Sequence, residues 1–113
     1  MVDSSIGGKT GFNYNSIKNN IGTLSYPEAV FYDINFLKTL PLDHVSSGLS
    51  EVYKHSIIGD LELWDYLKLN SNQLDFNYII QKSHALKSKI VKIDPTEKNI
   101  RKKLNFGHTV GHA

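Results

Sequence analysis

The 113-residue sequence predicts an α+β chain, in which a glycine-rich loop and one short strand lead into a mainly helical region. Three observations point there. Residues 1 to about 27 are rich in Gly, Ser and Asn, the residues of turns and loops. One compact run of apolar, β-prone residues follows Pro27. Beyond it, apolar residues recur at helical spacing almost to the end of the chain.

The first element is DSSIGGKTG, Asp3 to Gly11. A phosphate-gripping P-loop needs G-x-x-x-x-G-K-[ST], so that successive backbone N–H groups wrap the phosphates. With Gly8, Lys9 and Thr10 as its last three residues, Asp3 falls where the first glycine belongs, and only Met1 and Val2 precede it. A carboxylate there repels a triphosphate, and no strand leads in. Two readings stay open: a solvated turn, or an anion site in which Gly7 and Gly8 allow close backbone approach and Lys9 supplies a point charge. NYNSIKNN, Asn13 to Asn20, reads as a loop.

AVFYDI, Ala29 to Ile34, reads as the one strand. A lone strand cannot satisfy its own backbone, so this one calls for neighbours, and the chain reads as a fragment or split gene product comprising a sheet edge and a helical domain. Asp43 is placed to cap a helix through VSSGLSEVYKHSII. Gly59 and Asp60 close that helix and start the next, LELWDYLKLN. In YIIQKSHALKSKIV, Ile79, Ile80, Ser83, Leu86, Ile90 and Val91 form a stripe, and Pro95 ends the helix. A last helix is expected from Asn99 to Arg101 onward through LNFGHTVGHA.

Composition excludes several functions. The hydrophobic share of 40% suffices for a packed core, and a formal charge of +2 is too small to argue for nucleic acid. The short run Arg101, Lys102, Lys103 reads as a solvated helix face. With no cysteine the chain needs no oxidising compartment, and it has neither a signal peptide nor a long apolar span, so no membrane is implied and the cytoplasm is the default.

Two stretches concentrate chemistry. In HTVGHA, His108 and His112 are four apart, which on a helix stacks both imidazoles on one face, as for two metal ligands or for two half-buried histidines at a helix end. Thr109 follows His108, so the H-E-x-x-H zinc-protease signature is excluded. In GLSEVYKHS, Glu51 and Lys54 are three apart, the spacing of a surface ion pair.

DSSIGGKTG, KNNIG, FLKTLP, GLSEVYKHSII and D-x-x-E-x-x-x-R-x-x-LNFGHTVGHA follow one another along essentially the whole chain. In that order and spacing they resemble the 3-dehydroquinate synthase family. The resemblance implies the end of a nucleotide-binding α/β domain (residues 1–36) and the first part of a helical metal-binding domain (37–113), truncated at both ends. It implies that Glu51 and His108 are two of three ligands to zinc or cobalt, the third histidine lying in an H-G-[ED] motif past Ala113. Lys9, Lys18, Phe36, Leu37, Lys38 and Thr39 then match positions that contact NAD, with Asp3 beside both cofactor and substrate. Asn19, Lys54, Lys87, Arg101, Asn105 and His112 match positions that hold the substrate's phosphate, carboxylate and hydroxyls, and Lys54, Arg101, Asn105 and His112 are the catalytic candidates, His112 as proton relay.

The implied activity is that of a phosphate-eliminating carbon–oxygen lyase of the shikimate pathway. It converts 3-deoxy-D-arabino-heptulosonate 7-phosphate to 3-dehydroquinate and phosphate by transient NAD-dependent oxidation, elimination, reduction and intramolecular aldol closure. At full length the family implies a homodimer. One departure is Asn99, where the family has glycine; Asn tolerates a left-handed backbone. The alternatives are a related sugar phosphate cyclase, against which Asn105 and His112 argue, and an inactive truncated fragment.

Overall fold

The structure is a computed structural model that describes residues 2–107, apart from the side chain of Lys18. His108, His112 and the C-terminal part of the expected last helix lie outside the described residues.

The Asn-rich stretch is a hairpin rather than a loop. Strands β1 (Lys9–Tyr14) and β2 (Ile17–Leu24) pair antiparallel, with Lys9 opposite Leu24 and Tyr14 opposite Ile17. Asn15 and Ser16 join them with φ of 49° and 61°, both left-handed, which matches the twist of a tight two-residue hairpin turn. Gly22 faces Gly11 across the ladder, and a Cβ at Gly22 would collide with the Thr10 carbonyl oxygen. The glycines that suggested a loop are therefore what lets these two strands approach.

Residues 29–33, expected as the strand, have no regular structure among the described residues, and Ile34–Thr39 form a 3-10 helix. Asp33 accepts from the Asn35 backbone N–H at 2.8 Å, a local turn that outcompetes an unpaired extended backbone. Phe31 is 93% exposed, so the apolar run that suggested a strand finds no sheet to cover it among the described residues.

Three helices follow the expected order, whereas the expected last helix is a 3-10 helix that ends at Asn105, Phe106 leaving the helical conformation with ψ of 137°. Helix α1 spans Leu42–Gly59, α2 Leu61–Leu69 and α3 Phe76–Ile93. Pro41, not Asp43, stands at the N-cap of α1, because proline's fixed φ suits a helix entry; Asp43 lies in the first turn, where its charge favours the helix dipole. Asp60 ends α1 and caps α2 by accepting from Leu63 N–H at 3.0 Å. Asp75 caps α3 in the same way through Asn77 and Tyr78 N–H. After α3, the buried Asp94 carboxylate accepts from the N–H groups of Lys98, Asn99 and Arg101 and shapes the turn into a second 3-10 helix, Ile100–Asn105.

Val52, Leu63, Leu67 and Ile79 form the core where α1, α2 and α3 meet. From the expected stripe on α3, Ile79, Ser83, Ile90 and Val91 are buried. The left-handed residue in the turn after α3 is Glu97 (φ 58°), not Asn99 (φ −131°). No helix of the described residues is long and apolar enough to cross a membrane.

Candidate functional site

The charged residues of the N-terminal turn meet the helices across a seam. The Asp3 carboxylate lies 2.9 Å from Lys87 Nζ on α3 and 3.4 Å from His55 Nε2 on α1. Lys87 Nζ also donates to the Asp3 carbonyl at 2.7 Å, and His84 Nε2 donates to the Val2 carbonyl at 2.7 Å, so α3 grips both backbone and side chain of the turn. Burial opposes the charged form of Asp3, but His55 and the Lys87 ammonium outweigh it and hold the carboxyl well below the ordinary carboxylate range.

His55 is fully buried, and its Nδ1 contacts Ser83 Oγ on α3. Its Nε2 has no aligned hydrogen bond, the 3.4 Å approach to Asp3 being too poorly directed to serve as one. Glu51 pairs with Lys54 one turn along α1. This is not the surface pair that the spacing suggested: Lys54 is only 8% exposed, because Glu51 and Lys54 face the seam rather than solvent. Ligand atoms of Asp3, Glu51 and His55 lie within 4.8 Å of one another, a two-oxygen, one-nitrogen set with the chemistry of a divalent-metal site.

Arg101 also departs from expectation. It is 3% exposed, donating from Nη2 to the Gly7 carbonyl at 2.8 Å and from Nη1 to the Pro95 carbonyl at 2.7 Å. Lys102 and Lys103 remain exposed, so the basic run is only partly a solvated face. Gly7 has φ 110°, and a Cβ there would sit 2.5 Å from Arg101 Nη2. Burial, then the Arg101 and Lys87 charges, push the Lys9 ammonium below its ordinary pKa.

These groups surround a cavity of about 420 Å³, lined by Asp3, Lys9, Asn19, Glu51, Lys54, Lys87, Arg101 and Asn105 among others. Asn19 reaches it from β2, where its φ of 53° and a hydrogen bond from its N–H to Asn13 Oδ1 mark a break in the ladder. Phe36 and Leu37 line a second cavity of about 300 Å³ instead. Lys38 and Thr39 line neither cavity. The side chain of Lys18, and His108 and His112, lie outside the described residues.

Sequence reasoning passed over His55 and Glu97. Both stood inside quoted stretches, GLSEVYKHSII and D-x-x-E-x-x-x-R, but neither burial nor a left-handed φ is written in a residue type. Glu97 pairs with Lys9 Nζ and accepts from Asn105 Nδ2 at 2.6 Å.

Two family models match end to end: "3-dehydroquinate synthase N-terminal" over residues 1–47 and "3-dehydroquinate synthase C-terminal" over residues 48–113. The chain is 46% identical to a protein of Sulfurisphaera tokodaii, 45% to one of Parabacteroides distasonis and 48% to one of Saccharolobus solfataricus, each named 3-dehydroquinate synthase. The alignments cover 99 to 100% of this chain and 33 to 34% of those proteins, so it spans about a third of their length.

Proposed function

The chain belongs to the 3-dehydroquinate synthase family, and we propose that it supplies one wall of the cleft in which a heptulosonate 7-phosphate loses phosphate and closes to 3-dehydroquinate. The observation that supports this most is the gathering of Asp3, Lys9, Glu51, Lys54, Lys87, Arg101 and Asn105 around one cavity, although they come from four separate stretches of the chain. Such a set suits a small, multiply anionic sugar acid.

Each residue has a task in this reading. Lys9, held below its ordinary pKa by burial and then by the Arg101 and Lys87 charges, is favoured by an entering anion and serves the cofactor's or substrate's charge. Lys54, Lys87 and Arg101 orient the substrate carboxylate, while Asn19 and Asn105 donate amide N–H groups to its oxygens. Asp3, kept ionised, accepts from a substrate hydroxyl and fixes its direction. His112 takes and returns the proton at the reacting oxygen.

Glu51 and His108 would hold zinc or cobalt, and the oxygen and nitrogen donors that converge near Glu51 fit a divalent ion. When bound, the ion supplies Lewis acidity at the substrate hydroxyls. Lys9, Lys18 and residues 36–39 would hold NAD, which when bound supplies reversible hydride transfer. A homodimer at full length and a cytoplasmic location complete the reading.

The test is phosphate release from the heptulosonate substrate by the complete gene product with NAD and zinc. Glu51→Gln is expected to lower it by more than about 100-fold, since losing a metal ligand exceeds the effect of an outer-shell change. Lys68→Ala, on the exposed end of α2, leaves it unchanged. Equal rates for wild type and Glu51→Gln would sink the assignment.

A further inference from the structure

We propose that Glu97 is a positioning residue, whose single carboxylate holds Lys9 and Asn105 so that the hairpin and the C-terminal 3-10 helix present their donors to one anion. The inference rests on the anionic-ligand reading above.

Glu97 occupies a left-handed position (φ 58°) that glycine or asparagine fills more easily. Asn99, two residues on, does not take it. The turn does not need the Glu97 side chain to form, because Asp94 organises it through three backbone N–H groups. What the carboxylate does instead is bridge. Oε2 meets Lys9 Nζ from β1, and Oε1 accepts from Asn105 Nδ2 at 2.6 Å.

Donor counting shows what remains. An ammonium has three N–H bonds and a primary amide two, so one of each spent on Glu97 leaves two on Lys9 and one on Asn105 for a ligand. Without Glu97, the long Lys9 side chain, 60% exposed, would be driven toward solvent by Arg101 and Lys87 and would gain rotamer freedom. An anion would then have to recapture it.

A carboxylate beside an anion site also has a rival role, as a competitor that the ligand must displace, and the two roles predict opposite signs. Inorganic phosphate is titrated into the isotope-labelled chain, with the Asn105 side-chain amide and the phosphate dissociation constant as readouts. Glu97→Gly relieves the left-handed backbone and so preserves the fold; Glu97→Gln keeps an acceptor for Asn105 but drops the charge. Positioning predicts a moved Asn105 amide resonance and about 10-fold weaker phosphate binding in Glu97→Gly, with Glu97→Gln intermediate. Tighter or unchanged phosphate binding in Glu97→Gly would overturn the inference. If the wild type takes no phosphate, the anion-site reading itself falls; an Asn105 amide that Glu97→Gly leaves unmoved overturns the positioning role alone.

Discussion

Residues 42–105 contain every buried apolar residue of the described chain, whereas residues 2–41 bury only Gly7 and Gly8. The helices close over Val52, Leu63, Leu67 and Ile79, while on the hairpin Phe12, Tyr14, Ile17, Ile21 and Leu24 are each 45 to 58% exposed. One region is held by hydrophobic burial. The other is tied to it by Val2, which packs against that core, and by polar contacts: Asp3 with Lys87, the Val2 carbonyl with His84, Gly7 with Arg101, Lys9 with Glu97. The ties are made largely by the side chains we propose to hold ligands, so in that proposal binding and attachment share one seam.

The largest expected effect tests the self-sufficient side. Leu67→Ala removes a fully buried side chain from the core and should lower stability by about 3 kcal/mol in urea denaturation. Phe12→Ala, at 58% exposure, should stay within about 0.5 kcal/mol. Comparable losses would mean that the hairpin is as much a part of the core as the helices.

Next come the ties. Arg101→Ala leaves the Gly7 and Pro95 carbonyls without their charged donor, at about 2 kcal/mol. Gly7→Ala forces a side chain into a left-handed position against Arg101, at about 1–3 kcal/mol. Both should strip amide-exchange protection from β1 and β2 while α1 and α3 keep theirs; uniform loss would erase the distinction between the regions.

The Asp3 tie has a pH signature. Its carboxyl is held below the ordinary value, so the stability it contributes is present above the unfolded pKa, about 3.9, and is lost as pH falls through the folded value. Asp3→Asn should therefore lower Tm at neutral and alkaline pH and flatten the acid side of a Tm-against-pH curve, leaving the alkaline slope unchanged. An unchanged acid slope would assign that loss to other carboxylates.

The smallest effect belongs to Glu62 and Lys82, a pair on the outer face of the helices whose side chains are 71% and 27% exposed. Glu62→Gln should produce a slight destabilisation that disappears in about 1 M salt, where charges beyond ~3 Å are screened. A salt-independent change would point to the Tyr78 hydroxyl, which donates to Glu62 at 3.0 Å.

What the sequence revealed follows the same division. The helices were legible because their stripe and their caps, Asp60 above all, are local signals. The hairpin was not: Asn15–Ser16 is a weaker turn signal than Asn–Gly, and the glycines of β1 and β2 resemble loop residues until they are paired. Ala29–Ile34 had strand-forming residues but no partner strand among the described residues, and propensity without a ladder does not make a strand. Of the site, Glu51 with Lys54 and the chemical types of Asp3, Lys87 and Arg101 were readable. The burial of Lys54 and Arg101 and the bridging by Glu97 depend on contacts between residues far apart in the chain, which no local pattern encodes.

We propose that ligand binding and attachment of the hairpin occur at the same seam. Amide exchange of Thr23 and Ser25, the latter hydrogen-bonded to the Gly8 carbonyl at 2.8 Å, measured with and without inorganic phosphate, tests it most directly. Phosphate held among Lys9, Arg101 and Asn105 should slow exchange at both amides, and Lys9→Ala should abolish the slowing. Slowing confined to the helices, or retained in Lys9→Ala, would contradict the claim.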